Sequence, residues 1–122
     1  MIEILLIVLL FIKHAVADLY LQTFHIPGHK TDYFGKAHRH YLEHGIGTFI
    51  VIIFFTAWPL ALALSLLDYL LHWHIDFGKS MFVQKKMIKR DSKVFWRIQC
   101  LDQIAHYLTY GLIAFLVLQY GF

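Results

Sequence analysis

The residues best equipped for chemistry in this chain recur as pairs four positions apart. His14 is followed by Asp18, His72 by Asp76, and Asp102 by His106. A spacing of four places both side chains on one face of a helix. Neutral imidazoles mixed with carboxylates suit Zn, Fe or Mn, whereas softer sites need thiolates. The single cysteine, Cys100, excludes an internal disulfide and any multi-cysteine metal site. The third pair runs in reverse order, as expected if its helix runs in the reverse direction.

The elements that must position these pairs are apolar. Of the 122 residues, 59% are hydrophobic, 17% aromatic and only 16% charged. An average soluble domain carries roughly a quarter charged residues, so the balance points to a membrane protein. No linker, low-complexity tract or fixed-period repeat divides the chain, which reads as one transmembrane domain, 1–122. A bilayer core of about 30 Å needs roughly 20 helical residues. Counting between breakers gives spans at 1–22, 40–58, 59–77 and 96–120, with loops at 23–39 and 78–95. Pro27, Gly28 and Gly35 mark the first loop, and part of the second reads as an amphipathic helix at the headgroups. Pro59 suits the first turn of a helix, which predicts a very tight turn at Trp58-Pro59. Trp96 and Tyr120 are placed as interfacial anchors. Ala15-Val16-Ala17 after an apolar run has the pattern of a signal-peptide cleavage site. The start, Met1-Ile2-Glu3, lacks the positive charge of one, so the first span is expected to be retained.

Orientation follows from lysine and arginine. The second loop and its flank carry Lys79, Lys85, Lys86, Lys89, Arg90, Lys93 and Arg97 against one acid, Asp91. The first loop adds Lys30, Lys36 and Arg39. By the positive-inside rule both loops face the cytoplasm and both termini face outward, in an inner membrane. The basic segment can also meet anionic lipid headgroups. Since a topology signal explains its charge, no nucleic-acid partner is expected.

Depth sharpens the pattern. Measured from the outer end of each span at 1.5 Å per residue, His14, His44, His72 and His106 all lie about 20–21 Å in. Asp18, Asp76 and Asp102 form a second layer at about 25–27 Å, where the second span offers His40. The expected fold is therefore an all-α, integral membrane four-helix bundle of antiparallel helices, with a metal site near its cytoplasmic end. Its metal ligands are expected to be His14, Asp18, His44, His72, Asp76, Asp102 and His106, enough for one to three ions, zinc first and iron or manganese next. His40, Gln22, Asp68 and Gln103 are expected to orient them. Hydrogen bonding between helices explains two or three intramembrane polar residues but fits a two-layered set less well. His74 is expected at the interface and His25, His29 and His38 in solvent. Tyr69, Tyr107 and Tyr110 read as a packing stripe. Lys79, one turn beyond Asp76, is expected to pair with it or to meet an anionic substrate.

The same residues carry a resemblance. Lys13-His14 with Asp18 and Gln22, His44, His72-x-x-x-Asp76-x-x-Lys79 and Asp102-Gln103-x-x-His106 together resemble domain-of-unknown-function family 3307 over nearly the whole chain. That family comprises small bacterial and phage membrane proteins, and the resemblance implies that these, Lys13 apart, are its typical polar positions without supplying a reaction. A fainter likeness is to the YdjM-like membrane-bound metal-dependent hydrolases. Those are similar in ligand style to helical zinc phosphoesterases that use His-x-x-x-Asp pairs. Nothing here matches the amino-terminal tryptophan ligand of those enzymes.

The functional expectation is a metal-dependent hydrolase of a phosphoester or phospholipid at the cytoplasmic leaflet, with Asp76, Lys79 and Asp102 at the reaction. Two metals can activate a water and hold both oxygens of an in-line displacement. No Ser-His-Asp or Cys-His arrangement and no glycine-rich phosphate loop competes with this. A transporter of protons or divalent cations is the first alternative. A non-enzymatic membrane interaction protein with a structural metal site, assembled as a homo-oligomer, is the second. Membrane lipids are the expected surroundings in every case.

Overall fold

Residues 1–25 and 29–121 are described by the computed structural model. Pro27 and Gly28, read above as loop breakers, lie outside them. The first helical segment begins as α1, Ile2–Ala15, and continues through a π-helical turn, Val16–Tyr20, into a 3-10 turn, Leu21–Thr23. Three further helices follow: α2, His38–Ile52; α3, Trp58–Lys85; and α4, Lys93–Tyr120. The fold is all-α, with no strand among the described residues. Each helix packs against its neighbour in the chain, and α1 also packs against α4.

Two boundaries differ from the expected spans, each for a physical reason. α2 ends at Ile52 and residues 53–57 make the turn, so Trp58 opens α3 instead of closing α2. Packed helices sit 8–10 Å apart, and a chain link covers at most about 3.5 Å per residue, so a turn confined to Trp58-Pro59 is too short. Pro59 does occupy the first turn of α3. At the other end α3 runs through Gly78 to Lys85, which reduces the second loop to a short connection before α4 begins at Lys93. A helical glycine costs only about 1 kcal/mol relative to alanine, and Lys79–Lys85 contains no proline to stop the helix.

α3 stops at Lys86, followed by Met87 in the left-handed region at φ 50°. Met87 N–H donates to the Gln84 carbonyl and Ile88 N–H to the Val83 carbonyl, satisfying two terminal acceptors. Ser92 caps α4 by accepting from the Phe95 N–H at 3.2 Å.

One end of the bundle is an apolar core. Leu6 and Leu10 from α1, Ile52 from α2, Leu64 from α3 and Ile113 and Val117 from α4 meet there, all but Leu64 wholly inaccessible. Beside it α2 and α3 approach closely: a Cβ on Gly45 would lie 3.2 Å from both the Ser65 carbonyl and the Tyr69 Cβ. The exteriors of the helices are also apolar, with Ile12 and Leu19, Ile50 and Phe54, Leu66 and Leu70, and Leu108 and Phe115 exposed. The first segment, Ile2–Thr23, and α4 are long and apolar enough to cross a membrane. α2, at 15 residues or about 22 Å, is short for that, and α3 is long enough but carries more polar residues.

Candidate metal centre

The other end of the bundle is polar inside. α2 presents His40 and His44 at a spacing of four, α3 presents His72 and Asp76, and α4 presents Asp102 and His106. Asp18 arrives on the π-helical turn, a local widening of the helix that is frequent at functional sites. His40, His44, His72, Asp76 and His106 are all buried, and Asp18 is partly so.

Two overlapping donor groups result. Asp18, His40, His44 and His72 each offer a ligand atom, and these lie within 4.8 Å of one another; so do His72, Asp76 and His106. Asp18 Oδ1 is 3.2 Å from His40 Nε2, 2.9 Å from His44 Nε2 and 3.9 Å from His72 Nε2. Asp76 is 3.4 Å from His72 Nε2 and 3.1 Å from His106 Nε2. A tetrahedral ion with ligand bonds of about 2.1 Å holds its donors about 3.4 Å apart. The separations bracket that value. His72 belongs to both groups, and one ring nitrogen serves one ion.

Hydrogen bonding separates free donors from engaged ones. His40 Nε2 and both ring nitrogens of His72 are buried without a hydrogen-bond partner. Buried polar atoms are rarely left unsatisfied, so such atoms call for an explanation, and a cation is one. The His72 ring is clamped between those of His44, at 3.6 Å, and His106, at 4.1 Å, both nearly parallel. His44 is more engaged: Nε2 contacts Asp18, and Nδ1 faces the Lys13 ammonium at 3.4 Å. An ammonium only donates, so the His44 proton belongs on Nε2 and points to Asp18. His14 has Tyr110 Oη at 2.7 Å on Nδ1, with Asp18 and Gln103 at 3.1 and 3.3 Å on Nε2. It lies beside the donor groups, not within them. Asp102 also lies beside them, 3.5 Å from His106 through Oδ1.

Three lysines serve the acids. Lys13 Nζ, almost fully buried, lies 2.6 Å from Asp68 Oδ2 and 3.2 Å from Tyr110 Oη. Thr48 Oγ1 also donates to Asp68. Gly47 leaves room for the lysine stem, since a Cβ there would approach Lys13 Cγ to 2.9 Å. Lys30 reaches Asp76 at 2.6 Å, and Lys79 reaches Asp102 at 3.1 Å. Lys79 thus pairs with Asp102 rather than with Asp76. Lys30 comes from a segment that Tyr33 anchors by packing its ring on Trp73, at 4.5 Å, and Phe77, at 5.1 Å.

Between the first segment, the end of α3 and the start of α4 lies a cavity of about 390 Å³. Asp18, Asp76 and Asp102 line it together with Lys30, Lys79 and Gln103. The donor groups therefore border space that a small molecule can enter.

Of the residues singled out from sequence, Asp18, His44, His72, Asp76 and His106 fall in the donor groups, and His40 joins them directly instead of orienting others. Gln22 contacts His40 Nδ1 at 3.3 Å, and Asp68 is held by Lys13 and Thr48 away from the donors. His25 pairs with Glu43 at 2.8 Å and His38 with Tyr69 at 2.9 Å, so neither is simply solvated. His74 and His29 are exposed. Tyr110, read as packing, is a polar participant, as are Lys13, Lys30 and Thr48, to which no site role was given. The available signal was Lys13 itself: a charge inside an apolar run must find a partner.

The polar positions on which the resemblance rested lie in or around this one site, and the DUF3307 family matches residues 5–121. The chain belongs to the DUF3307 family, proteins of unknown function. The match covers all four helices of the DUF3307 chain except residues 2–4 of α1, so the donor groups and the apolar core fall inside the family's bounds. No curated protein and no solved structure matches the chain, and the fainter likeness to YdjM-like hydrolases gains no support.

Proposed function

We propose that the protein is an integral membrane metalloprotein that hydrolyses a phosphoester at the cytoplasmic leaflet. One observation carries the reading: Asp18 and Asp76, one from each donor group, line a cavity that also holds two ammonium groups, Lys30 and Lys79. His40, His72, Asp18, Asp76 and His106 would hold the metal, zinc, iron or manganese by donor type. A bound divalent ion supplies a water acidic enough to be a nucleophile at neutral pH. Lys79 and Lys30 would neutralise phosphate oxygens as the water oxygen bonds to phosphorus and the ester P–O bond breaks. Asp102, which lines the cavity, would accept the water's proton and return it to the leaving alkoxide.

The membrane part of the reading rests on the apolar exteriors of the helices around a polar interior. The four helices would cross as an antiparallel bundle, with both termini outside and the basic connections in the cytoplasm. A conduit is disfavoured by the apolar core: below Asp68, Leu10, Leu64 and Ile113 interrupt any polar path. A purely structural metal is disfavoured by the cavity beside the donors.

Elemental analysis of protein purified without chelators tests the reading. At least one transition metal per chain is expected, falling several-fold in His72→Ala and Asp76→Ala and staying unchanged in His25→Ala. Release of nitrophenol from bis-nitrophenyl phosphate should follow metal content. A folded wild type that holds no metal and releases no nitrophenol would sink it.

A further inference from the structure

The polar cavity does not end in solvent on every side. Ala15 and Leu19, which form part of its wall, also line an apolar groove that runs along the outer face of the first segment. Ile12, Val16, Tyr20 and Thr23 complete this groove, which is shallow and wide open to the surroundings. Ala15 is the smallest side chain at the junction, and the π-helical turn begins one residue after it. A charged chamber and an apolar trough thus meet at one small residue.

We infer that the site takes a membrane phospholipid with an anionic headgroup, its phosphate in the cavity and an acyl chain in the groove. The headgroup part presupposes the metal-dependent function proposed above. The cavity acids, Asp18, Asp76 and Asp102, outnumber its lysines, so the chamber favours an anion only with a divalent cation in place. That cation would compete with Lys30 for Asp76, and the released ammonium is then free for a phosphate oxygen. Depth agrees. Lys79 lies about 30 Å along α3 from Pro59, the thickness of a hydrocarbon core, which is where phosphates of the inner leaflet sit. Other exposed apolar faces, such as Leu66 and Leu70 on α3, adjoin no charged chamber, so the groove beside Ala15 is set apart from ordinary lipid contact.

The experiment uses the full chain in phosphatidylcholine nanodiscs doped with phosphatidylglycerol that carries a photoreactive diazirine in its acyl chain. Metal content is measured on the same preparation, and adducts are mapped by mass spectrometry. Adducts should concentrate on Ile12, Val16, Leu19 and Tyr20 and fall several-fold with excess unlabelled phosphatidylglycerol, but not with glycerol phosphate. Lys30→Met and Lys79→Met should each reduce them, and the arginine variants should restore them. Even scatter of adducts over α2, α3 and α4 in metal-loaded protein would overturn the lipid site while leaving the hydrolase reading intact. Adducts on the first segment of a metal-free wild type would overturn the metal-dependent reading and, with it, the headgroup's need for a cation, leaving only the acyl-chain contact. Displacement by glycerol phosphate would overturn the acyl-chain contribution.

Discussion

Lys13 is a cation held out of solvent, with Asp68, Tyr110 and His44 around its ammonium group. Removing one partner of a buried ion pair strands the other, at a cost of roughly 3–5 kcal/mol. Lys13→Met is therefore expected to lower the thermal midpoint in detergent sharply. Lys13→Met combined with Asp68→Asn should be more stable than Lys13→Met alone, because no charge is then stranded. Equal midpoints for the two would show that the ion pair is unimportant. At this scale the sequence was legible in part. Counting depth brought His14, His44, His72 and His106 to one level, and their rings do meet. Counting could not tell which nitrogens would be free, because that depends on Tyr110, Lys13 and Gln103 arriving from other helices. Nor could it foresee Lys30, which reaches Asp76 only because Tyr33 seats its segment on Trp73.

At the scale of the element, Met87 sits where a helix terminus ordinarily uses glycine. A side chain in the left-handed region costs about 1 kcal/mol, so Met87→Gly is expected to stabilise the protein by about that amount, read by chemical denaturation. Ser92→Ala should destabilise it by about 1 kcal/mol through loss of the cap to Phe95. A Met87→Gly variant no more stable than wild type would mean that the terminus of α3 frays in solution. Helix existence was readable from apolar runs and from Pro59, but helix ends were not. The second loop was expected to begin at 78, yet the single glycine there is a weak stop when Lys79 has a partner on α4 to reach. The end of α2 was set by the distance between packed helices, which no local pattern records.

For the molecule as a whole, the proposed orientation puts the basic connections in the cytoplasm. A cysteine introduced between 86 and 92, in a Cys100→Ser background, should resist an impermeant maleimide added to intact cells and react after lysis. Labelling in intact cells would invert the proposed orientation. The lysine partners of Asp68, Asp76 and Asp102 bear on how such a protein comes to exist at all. Each of these aspartates carries its own tethered counter-ion, and Asp18 is met by imidazoles. On the proposed membrane metalloprotein reading, insertion and helix assembly would need no inorganic ion to offset stranded carboxylates in hydrocarbon, so biogenesis would precede loading. Cells starved of transition metals should accumulate as much of the protein as replete cells, in a form that later supplementation activates without new synthesis.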